Sequence, residues 1–121
     1  MVVRTGPTNP VTRKQIAILE KTYRKTKKKV WKDLAERLMR PRRQRSSVNL
    51  IKINRYGKEG EFIAVPGKVL GYGILEKPLI IAALSCSKNA LNKVKLAGGK
   101  IISFEELVKI NKEGKNIRIM E

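Results

Sequence analysis

The stretch that decides the fold is residues 79–102, which read LIIAALSCSKNALNKVKLAGGKII. Residues 79–84 form a continuous apolar run, which is typical of a strand buried on both faces of a parallel sheet. Residues 88–97 carry apolar side chains at helical spacing after Ser87, which is the expected N-cap, and Gly98-Gly99 supplies the left-handed conformation that ends many helices. Residues 100–102 then form a second short strand. This strand–helix–strand order predicts an α/β domain.

The same alternation continues toward the C-terminus. Ser103-Phe104-Glu105-Glu106 has the spacing of a capping box and predicts a helix that extends through Ile110. Residues 116–120 are expected to form the last strand. Glu105 and Glu106 are adjacent, so they point apart on a helix, and their place in its first turn suits the helix dipole. Helix capping therefore explains them better than acid–base catalysis does.

Two strands and two helices are predicted upstream of residue 79. Residues 48–55 and 62–65 are expected to form strands joined by a turn, and residues 66–73 a glycine-rich connection with a short extended piece. Before them, one amphipathic helix begins at Asn9-Pro10 and a second ends before Pro41. Their apolar stripes are narrow, so we expect both helices to need a body to pack on. The stripes consist of Ile16, Leu19 and Tyr23, and of Trp31, Leu34, Ala35 and Leu38.

The 121 residues suit one domain, and the hydrophobic fraction of 41% is enough for one modest core. The predicted fold is a small single α/β domain with a basic helical N-terminal extension and a short mixed sheet flanked by helices. Residues 1–58 supply an extended tail, the two helices, an arginine loop and the first strand. Residues 59–121 supply a compact α/β body, and the two parts form one structural unit overall.

Positive charge is concentrated in the first half of the chain. The formal net charge is +18, from 28 Lys and Arg against 10 Asp and Glu. Residues 1–58 hold 18 of these cations and 3 of the acids, whereas residues 59–121 hold 10 cations and 7 acids. The second half therefore has an ordinary charge balance, and the first half carries the electrostatic footprint of a polyanion-binding protein.

Several kinds of chemistry are excluded by what the chain lacks. It has no His, so it has no imidazole base, no Ser-His-Asp triad and no His metal ligand. Cys86 is its one cysteine, and we expect a small buried hydrophobe there. The Gly-Lys pairs lack the spacing of a phosphate-binding loop, so neither a nucleotide, a metal nor another cofactor is expected. With no membrane span or signal peptide evident, a soluble cytoplasmic protein without enzymatic activity is predicted.

The arginine loop at residues 40–45 is the strongest candidate site. Guanidinium groups bind phosphate oxygens bidentately and stack on exposed bases. The following segment, Lys52-Ile53-Asn54-Arg55, would join the loop in one patch if the two lie side by side. The lysine run at residues 27–29 and the basic face of the first helix belong to the same half of the chain. The candidate residues in this part of the sequence are Arg4, Arg13, Lys14, Lys27, Lys28, Lys29, Arg40, Arg42, Arg43, Arg45, Lys52, Asn54 and Arg55.

The sequence favours a folded RNA as the partner over DNA. The two basic helices lack the glycine turn of a helix-turn-helix, and no aromatic motif for single-stranded RNA is present. The remaining mode of recognition is one in which arginine-rich loops and tails fit the shape of a folded RNA, as in ribonucleoprotein assembly. The alternative is a chromosomal DNA-compacting protein, which shares the charge but needs a dimer interface.

The chain resembles the family of archaeal large-subunit ribosomal protein eighteen-e, which is related to bacterial large-subunit ribosomal protein fifteen. The resemblance spans essentially the whole chain in the right order. It rests on residues 40–45, 48–50, 52–55, 65–71, 97–99, 103–107 and 116–119. It implies an α/β fold with a basic helical N-terminal part and a non-catalytic component that binds large-subunit ribosomal RNA.

The resemblance also implies partners and residue roles. The partners are large-subunit ribosomal RNA and neighbouring ribosomal proteins, with no membrane and no small-molecule substrate, and the location is the cytoplasmic ribosome. The arginine loop, Lys52 and Arg55 would contact RNA backbone and packed bases, and the other cations would add phosphate contacts. For Asn54, a hydrogen bond to a base edge and the closing of a turn stay equally open. Residues 71–73 are assigned no RNA role.

Overall fold

The computed structural model describes residues 10–39, 47–111 and 114–120. Within these ranges, two consecutive helices are followed by strands interspersed with helices, and one pair of strands is consecutive. The helices are α1 (Pro10–Thr26), α2 (Lys29–Leu38), α3 (Leu50–Tyr56), α4 (Lys88–Leu96) and α5 (Phe104–Ile110). The strands are β1 (Ser47–Asn49), β2 (Phe62–Leu70), β3 (Ile80–Cys86), β4 (Lys100–Ile102) and β5 (Ile117–Ile119). The predicted small α/β domain is therefore confirmed.

The sheet is built around β2. One edge of β2 pairs with β3, which in turn pairs with β4. The other edge is shared: β5 lies beside residues 62–64, and β1 lies beside residues 68–70. These pairings are all parallel, so the expected mixed sheet is wrong. A mixed sheet followed from joining the first two strands by a turn, whereas the intervening helix α3 carries the chain back and makes them parallel.

The expected strand at residues 48–55 is largely wrong. Only residues 47–49 are extended, and residues 50–56 form helix α3. Leu50 and Ile53 are three positions apart and fully buried, whereas Ile51 between them is exposed. This is helical burial, and seven residues are too few for the sequence to distinguish it from strand alternation. The strand expected at residues 62–65 instead continues to Leu70, with an irregularity between Val65 and Lys68.

Helices cover both faces of the sheet. On one face, α3 and α4 pack over Ile63, Val65 and Ile81 in a first apolar cluster. On the other face, α1, α2 and α5 pack over Ala64 and Ala82 in a second cluster. The prediction that the two N-terminal helices need a body to pack on is confirmed, since they form a layer of this core. The fully buried side chains of the second cluster include Trp31, Leu34 and Phe104.

Local signals at the ends of helices are confirmed. The hydroxyl of Ser87 accepts a hydrogen bond from the amide of Ala90, and that of Ser103 accepts one from the amide of Glu106. Gly98 adopts a φ of +86° directly after α4, as expected for a left-handed helix stop. Cys86, expected to be buried, is only half-buried because it lies at the end of β3, although it packs against the first cluster.

Candidate nucleic-acid interface

Part of the predicted interface lies outside the described residues. This part comprises the predicted extended tail with Arg4 and the four arginines of the loop, Arg40, Arg42, Arg43 and Arg45. Asn9 and Pro41, the predicted start and stop signals of the two N-terminal helices, also lie outside the described residues. The chain on either side of the loop is described. Helix α2 ends at Leu38, and β1 begins at Ser47, whose partner on β2 is the exposed Lys68. Lys68 could not be recognised from the sequence, because an isolated lysine in an extended segment carries no motif.

The lysine run lies at the sharp turn between α1 and α2. The amide of Lys27 donates to the carbonyl of Tyr23 at 2.7 Å, and Lys27 has a φ of +61°. The amide of Lys28 donates to the hydroxyl of Thr26 at 3.3 Å, and Lys29 is the first residue of α2. All three lysine side chains are exposed. The turn therefore concentrates three ammonium groups at one end of the helix pair.

The two predicted cations of α1 are both exposed near its N-terminal end. The Nζ of Lys14 lies 3.8 Å from Oε2 of Glu105 on α5. The Nζ of Lys109 lies 3.9 Å from the other oxygen of the same carboxylate. Such exposed pairs contribute little to stability, so Lys14 keeps its charge available at the surface. Arg13 is exposed on the neighbouring position of the helix.

The candidate residues of the segment 52–55 lie on helix α3 and not on the expected strand. Lys52 and Arg55 are exposed on this helix. Asn54 is tied to the connection between β2 and β3: its Oδ1 accepts from the amide of Glu76 at 3.0 Å, and its Nδ2 donates to that carboxylate at 3.4 Å. These hydrogen bonds join α3 to a segment about twenty positions further along the chain, so they differ from the turn closure expected of Asn54. A contact with a base edge stays a prediction.

A clamp fixes the C-terminal end of α3 against the same connection. The Nζ of Lys77 donates to the carbonyl of Asn54 at 2.9 Å and to the carbonyl of Gly57 at 2.7 Å. These carbonyls would otherwise lack partners at the helix end. Because Lys77 satisfies them, α3 holds Lys52 and Arg55 in a defined orientation. The clamp could not be found from the sequence, since it joins residues about twenty positions apart.

An ion pair joins the start of β2 to β5. Arg118 donates to the two oxygens of the Glu61 carboxylate, from Nε at 3.0 Å and from Nη2 at 3.3 Å. The hydrogen bond from Arg118, together with one from the amide of Lys58, lowers the pKa of Glu61, although partial desolvation opposes the shift. The same contact raises the pKa of Arg118. The pair thus holds the short last strand beside β2.

We expect the Glu61–Arg118 pair to make stability depend on acid pH. A carboxyl whose pKa is lower in the folded than in the unfolded state stabilises the fold above its unfolded pKa. This stabilisation is lost as pH falls through the folded pKa. Urea unfolding between pH 7 and pH 3 should therefore show a smaller loss of stability for Glu61→Gln than for the wild-type chain. Glu59→Gln, at an exposed neighbouring position, is the control. Parallel pH profiles of the wild-type chain and Glu61→Gln would contradict this role.

A group of exposed apolar side chains lies outside the residues predicted to bind RNA. Tyr72 and Ile74 lie in the connection between β2 and β3, next to Ile51 of α3, and all three side chains are exposed. The signal in the sequence was a tyrosine between two glycines at residues 71–73, to which no RNA role was assigned.

Two features are absent from the described part of the chain. Among residues 10–39, 47–111 and 114–120, no group of three or more Cys, Asp or Glu residues is placed to hold a metal ion. In the same ranges, none of the helices has the length and apolar character needed to cross a membrane.

The fold and the charge distribution define a class: a small, strongly basic α/β protein with a parallel sheet between two helical layers. The model of the family described as ribosomal protein 60S L18 and 50S L18e matches residues 5–121. The chain belongs to this family of large-subunit ribosomal proteins. It is therefore a structural protein and not an enzyme, and its location is the ribosome in the cytoplasm.

Three of the relatives found by comparison come from archaea. The chain is 46% identical to large ribosomal subunit protein eL18 of Sulfurisphaera tokodaii over 121 residues, covering 100% of this chain and 99% of the relative. It is 44% identical to the protein of the same name from Methanoregula boonei, with 93% of each chain covered. The identity to that of Archaeoglobus fulgidus is 45%, covering 93% of this chain and 96% of the relative. The resemblance to the eighteen-e family is therefore confirmed.

Proposed function

We propose that this chain binds folded large-subunit ribosomal RNA and stabilises it through residues 1–58, with the arginine loop as the main contact. The observation that carries the proposal is the charge asymmetry, with 18 cations and 3 acids in this half of the chain. An excess of positive charge at this density repels itself, and a polyanion relieves this repulsion. Membership of a ribosomal protein family supports ribosomal RNA as this polyanion.

The described part of the chain supports this proposal, because basic residues are exposed at the ends of helices that are anchored in the core. Lys27, Lys28 and Lys29 are exposed at the α1–α2 turn, and α1 and α2 are anchored by the fully buried Trp31 and Leu34. The amide of Phe104 donates to the side chain of the buried Gln15 at 3.0 Å, which joins α1 to α5. A folded body of this kind holds the backbone that carries these lysines in place, which lowers the entropy cost of binding.

The proposed roles of the residues follow from their side-chain chemistry. Arg40, Arg42, Arg43 and Arg45 would bind phosphates bidentately and stack on bases where RNA helices meet. Lys52 and Arg55 of α3, Lys27, Lys28 and Lys29 of the α1–α2 turn, and Arg13, Lys14 and Arg4 would add phosphate contacts. The body formed by residues 59–121, with its near-balanced charge, would face neighbouring large-subunit proteins as well as RNA.

We also propose that this family is related to bacterial large-subunit ribosomal protein fifteen. Support comes from the shared α/β plan with a basic helical N-terminal part that the resemblance implies. The test is the topology of the bacterial protein. A parallel sheet in which two short strands share one edge of the central strand would support the relation, and a different strand order would contradict it.

Sedimentation of a cell lysate tests the proposed function. We expect the chain to sediment in stoichiometric amounts with the large ribosomal subunit, and its position to be unchanged by DNase. RNase treatment should release it. Recovery with bulk DNA, followed by release with DNase, would contradict the proposal and support a DNA-compacting protein. A known small-subunit ribosomal protein serves as the control for the specificity of the fraction.

A further inference from the structure

The connection between β2 and β3 is held in place from two sides. The Nζ of Lys93 on α4 donates to the carbonyls of Gly71 and Gly73, both at 2.7 Å. The amide of Ile51, in the first turn of α3, donates to the carbonyl of Tyr72 at 3.0 Å. Three consecutive carbonyls are thus satisfied by the two helices of the same face. A loop that is bonded in this way loses little entropy when it binds a partner.

Close packing reinforces these hydrogen bonds. Gly73 has a φ of +98°, and a Cβ added there would lie 2.6 Å from Cβ of Ile51. A Cβ added at Gly71 would lie 2.9 Å from the amide nitrogen of Ala90 and from the side chain of Asn89 on α4. Both positions require glycine for this close approach. Tyr72, between the two glycines, therefore has a fixed backbone and an exposed side chain.

The fixed loop displays large apolar side chains to solvent. The exposed fractions are 71% for Tyr72, 71% for Ile74 and 43% for Ile51. We call these three residues the Tyr72 platform. Exposed apolar residues are common singly, but an aromatic and two isoleucines grouped on a rigid support indicate a contact surface. Neither apolar cluster of the core includes them.

The surroundings of the Tyr72 platform are basic. Lys52 and Arg55 flank Ile51 on α3, and Lys88 is exposed in the first turn of α4, beside the Asn89 that contacts the loop. Glu76, the acid of the same loop, is engaged by both ends of the Asn54 carboxamide. A flat aromatic side chain surrounded by cations matches an unpaired nucleotide. The base stacks on the ring, and the flanking phosphates meet the cations.

We propose that the Tyr72 platform stacks an unpaired base of large-subunit ribosomal RNA, with Lys52 and Lys88 beside the adjacent phosphates. This inference rests on the proposed RNA-binding function and adds to it a second contact surface, formed by α3, α4 and the β2–β3 connection. Because stacking tolerates any base, the platform recognises an unstacked nucleotide and not a particular sequence. It would therefore fit a bulge or loop of the RNA better than a continuous duplex.

Binding to deproteinised large-subunit RNA at fixed salt tests the Tyr72 platform. The Tyr72→Ala variant loses one base–aromatic stack. Its RNA affinity should therefore be about 5- to 150-fold weaker than that of the wild-type chain. Tyr72→Phe keeps the ring and should stay within about twofold of the wild-type affinity. Since Tyr72 is exposed and its backbone hydrogen bond does not need the side chain, Tyr72→Ala should fold normally, which far-ultraviolet circular dichroism checks.

Two matched controls separate stacking from the general loss of apolar surface. Tyr56→Ala removes an exposed tyrosine from α3, five positions after Ile51 and so on a different side of the helix. Leu96→Ala removes an exposed apolar side chain from the far end of α4. Both should leave RNA affinity unchanged. In intact large subunits, ultraviolet irradiation followed by mass spectrometry should find a nucleotide adduct on the peptide that contains Tyr72.

Three other results would each contradict a different part of the proposal. If the wild-type chain binds RNA and Tyr72→Ala binds equally well, the Tyr72 platform does not contact RNA, although the proposed function stands. If Tyr72→Ala keeps its RNA affinity but no longer enters the assembled subunit, the platform contacts a protein neighbour instead. If the wild-type chain itself does not bind large-subunit RNA, the proposed function fails.

Discussion

Replacement of Arg42, Arg43 and Arg45 together by Ala is expected to weaken binding to large-subunit RNA and to flatten its dependence on salt. Each phosphate contact releases condensed counterions, so three lost contacts should reduce the slope of log affinity against log salt by about 2 to 3. The affinity advantage of the wild-type chain should then shrink by roughly 15- to 60-fold between 50 and 200 mM salt. Filter binding across a salt series measures this directly.

A second triple variant controls for net charge. Lys95, Lys100 and Lys109 are exposed in the second half of the chain, and their replacement by Ala removes the same three charges. We expect this variant to keep nearly the wild-type slope. Replacement of the three arginines by Lys should retain most of the slope but lose affinity, because ammonium groups cannot bind bidentately or stack. Equal slopes for the two alanine triples would show that the arginine loop is not the main contact.

Phe104→Ala should produce the largest loss of stability. The Phe104 side chain is fully buried among α1, α2 and α5. Truncation of a buried phenylalanine typically costs about 3–5 kcal/mol, from lost transfer free energy and from the cavity that remains. Domains of this size are stable by only about 5–15 kcal/mol, so this variant should be close to unfolding at moderate temperature. The midpoint and slope of urea unfolding provide the measurement.

Two control variants test whether the loss of stability comes from the buried apolar volume of Phe104. Phe104→Leu should retain much of the stability, because it keeps most of the apolar volume. Tyr56→Ala removes an exposed aromatic side chain and should change stability by no more than about 0.5 kcal/mol. If Phe104→Ala unfolds at the same urea concentration as the wild-type chain, the N-terminal helical layer is not part of the cooperative core.

Local signals predicted most of the helices well. Ser87 and Ser103 cap α4 and α5, and Gly98 ends α4, because capping depends on residues within one turn of the helix end. Trp31 and its partners on α2 are buried at helical spacing, as their periodicity indicated. The apolar run that became β3 was equally clear, since a strand covered on both faces needs little else to specify it.

The segment at residues 50–56 could not be predicted, because two periodicities fit it. Val48 and Leu50 are both buried, which suits a strand, and Leu50 and Ile53 are both buried, which suits a helix. The outcome depends on the surroundings of these residues. The Lys77 ammonium satisfies the end of α3, and Leu50 and Ile53 fill the space over Ile63 and Leu79. This choice then determined that β1 and β2 are parallel.

The candidate RNA-binding residues also fall into two groups: those that the sequence predicted and those that only the structure showed. Lys27, Lys28, Lys29, Lys52 and Arg55 were identified from charge alone, and the structure places all of them at the surface. The Tyr72 platform was not identified, since its support comes from Ile51 and Lys93, about twenty positions before and after the loop. The structural role of Asn54 likewise depends on Glu76.

The sequence by itself determined the charge asymmetry, the absence of imidazole chemistry and the positions of the capped helices. These properties depend on composition or on neighbours within about one helical turn. The tertiary structure decided that the sheet is parallel, that residues 50–56 are helical and that Tyr72 is held out toward solvent. Each of these depends on hydrogen bonds and burial between segments far apart in the chain, whose free energies appear only when the segments pack together.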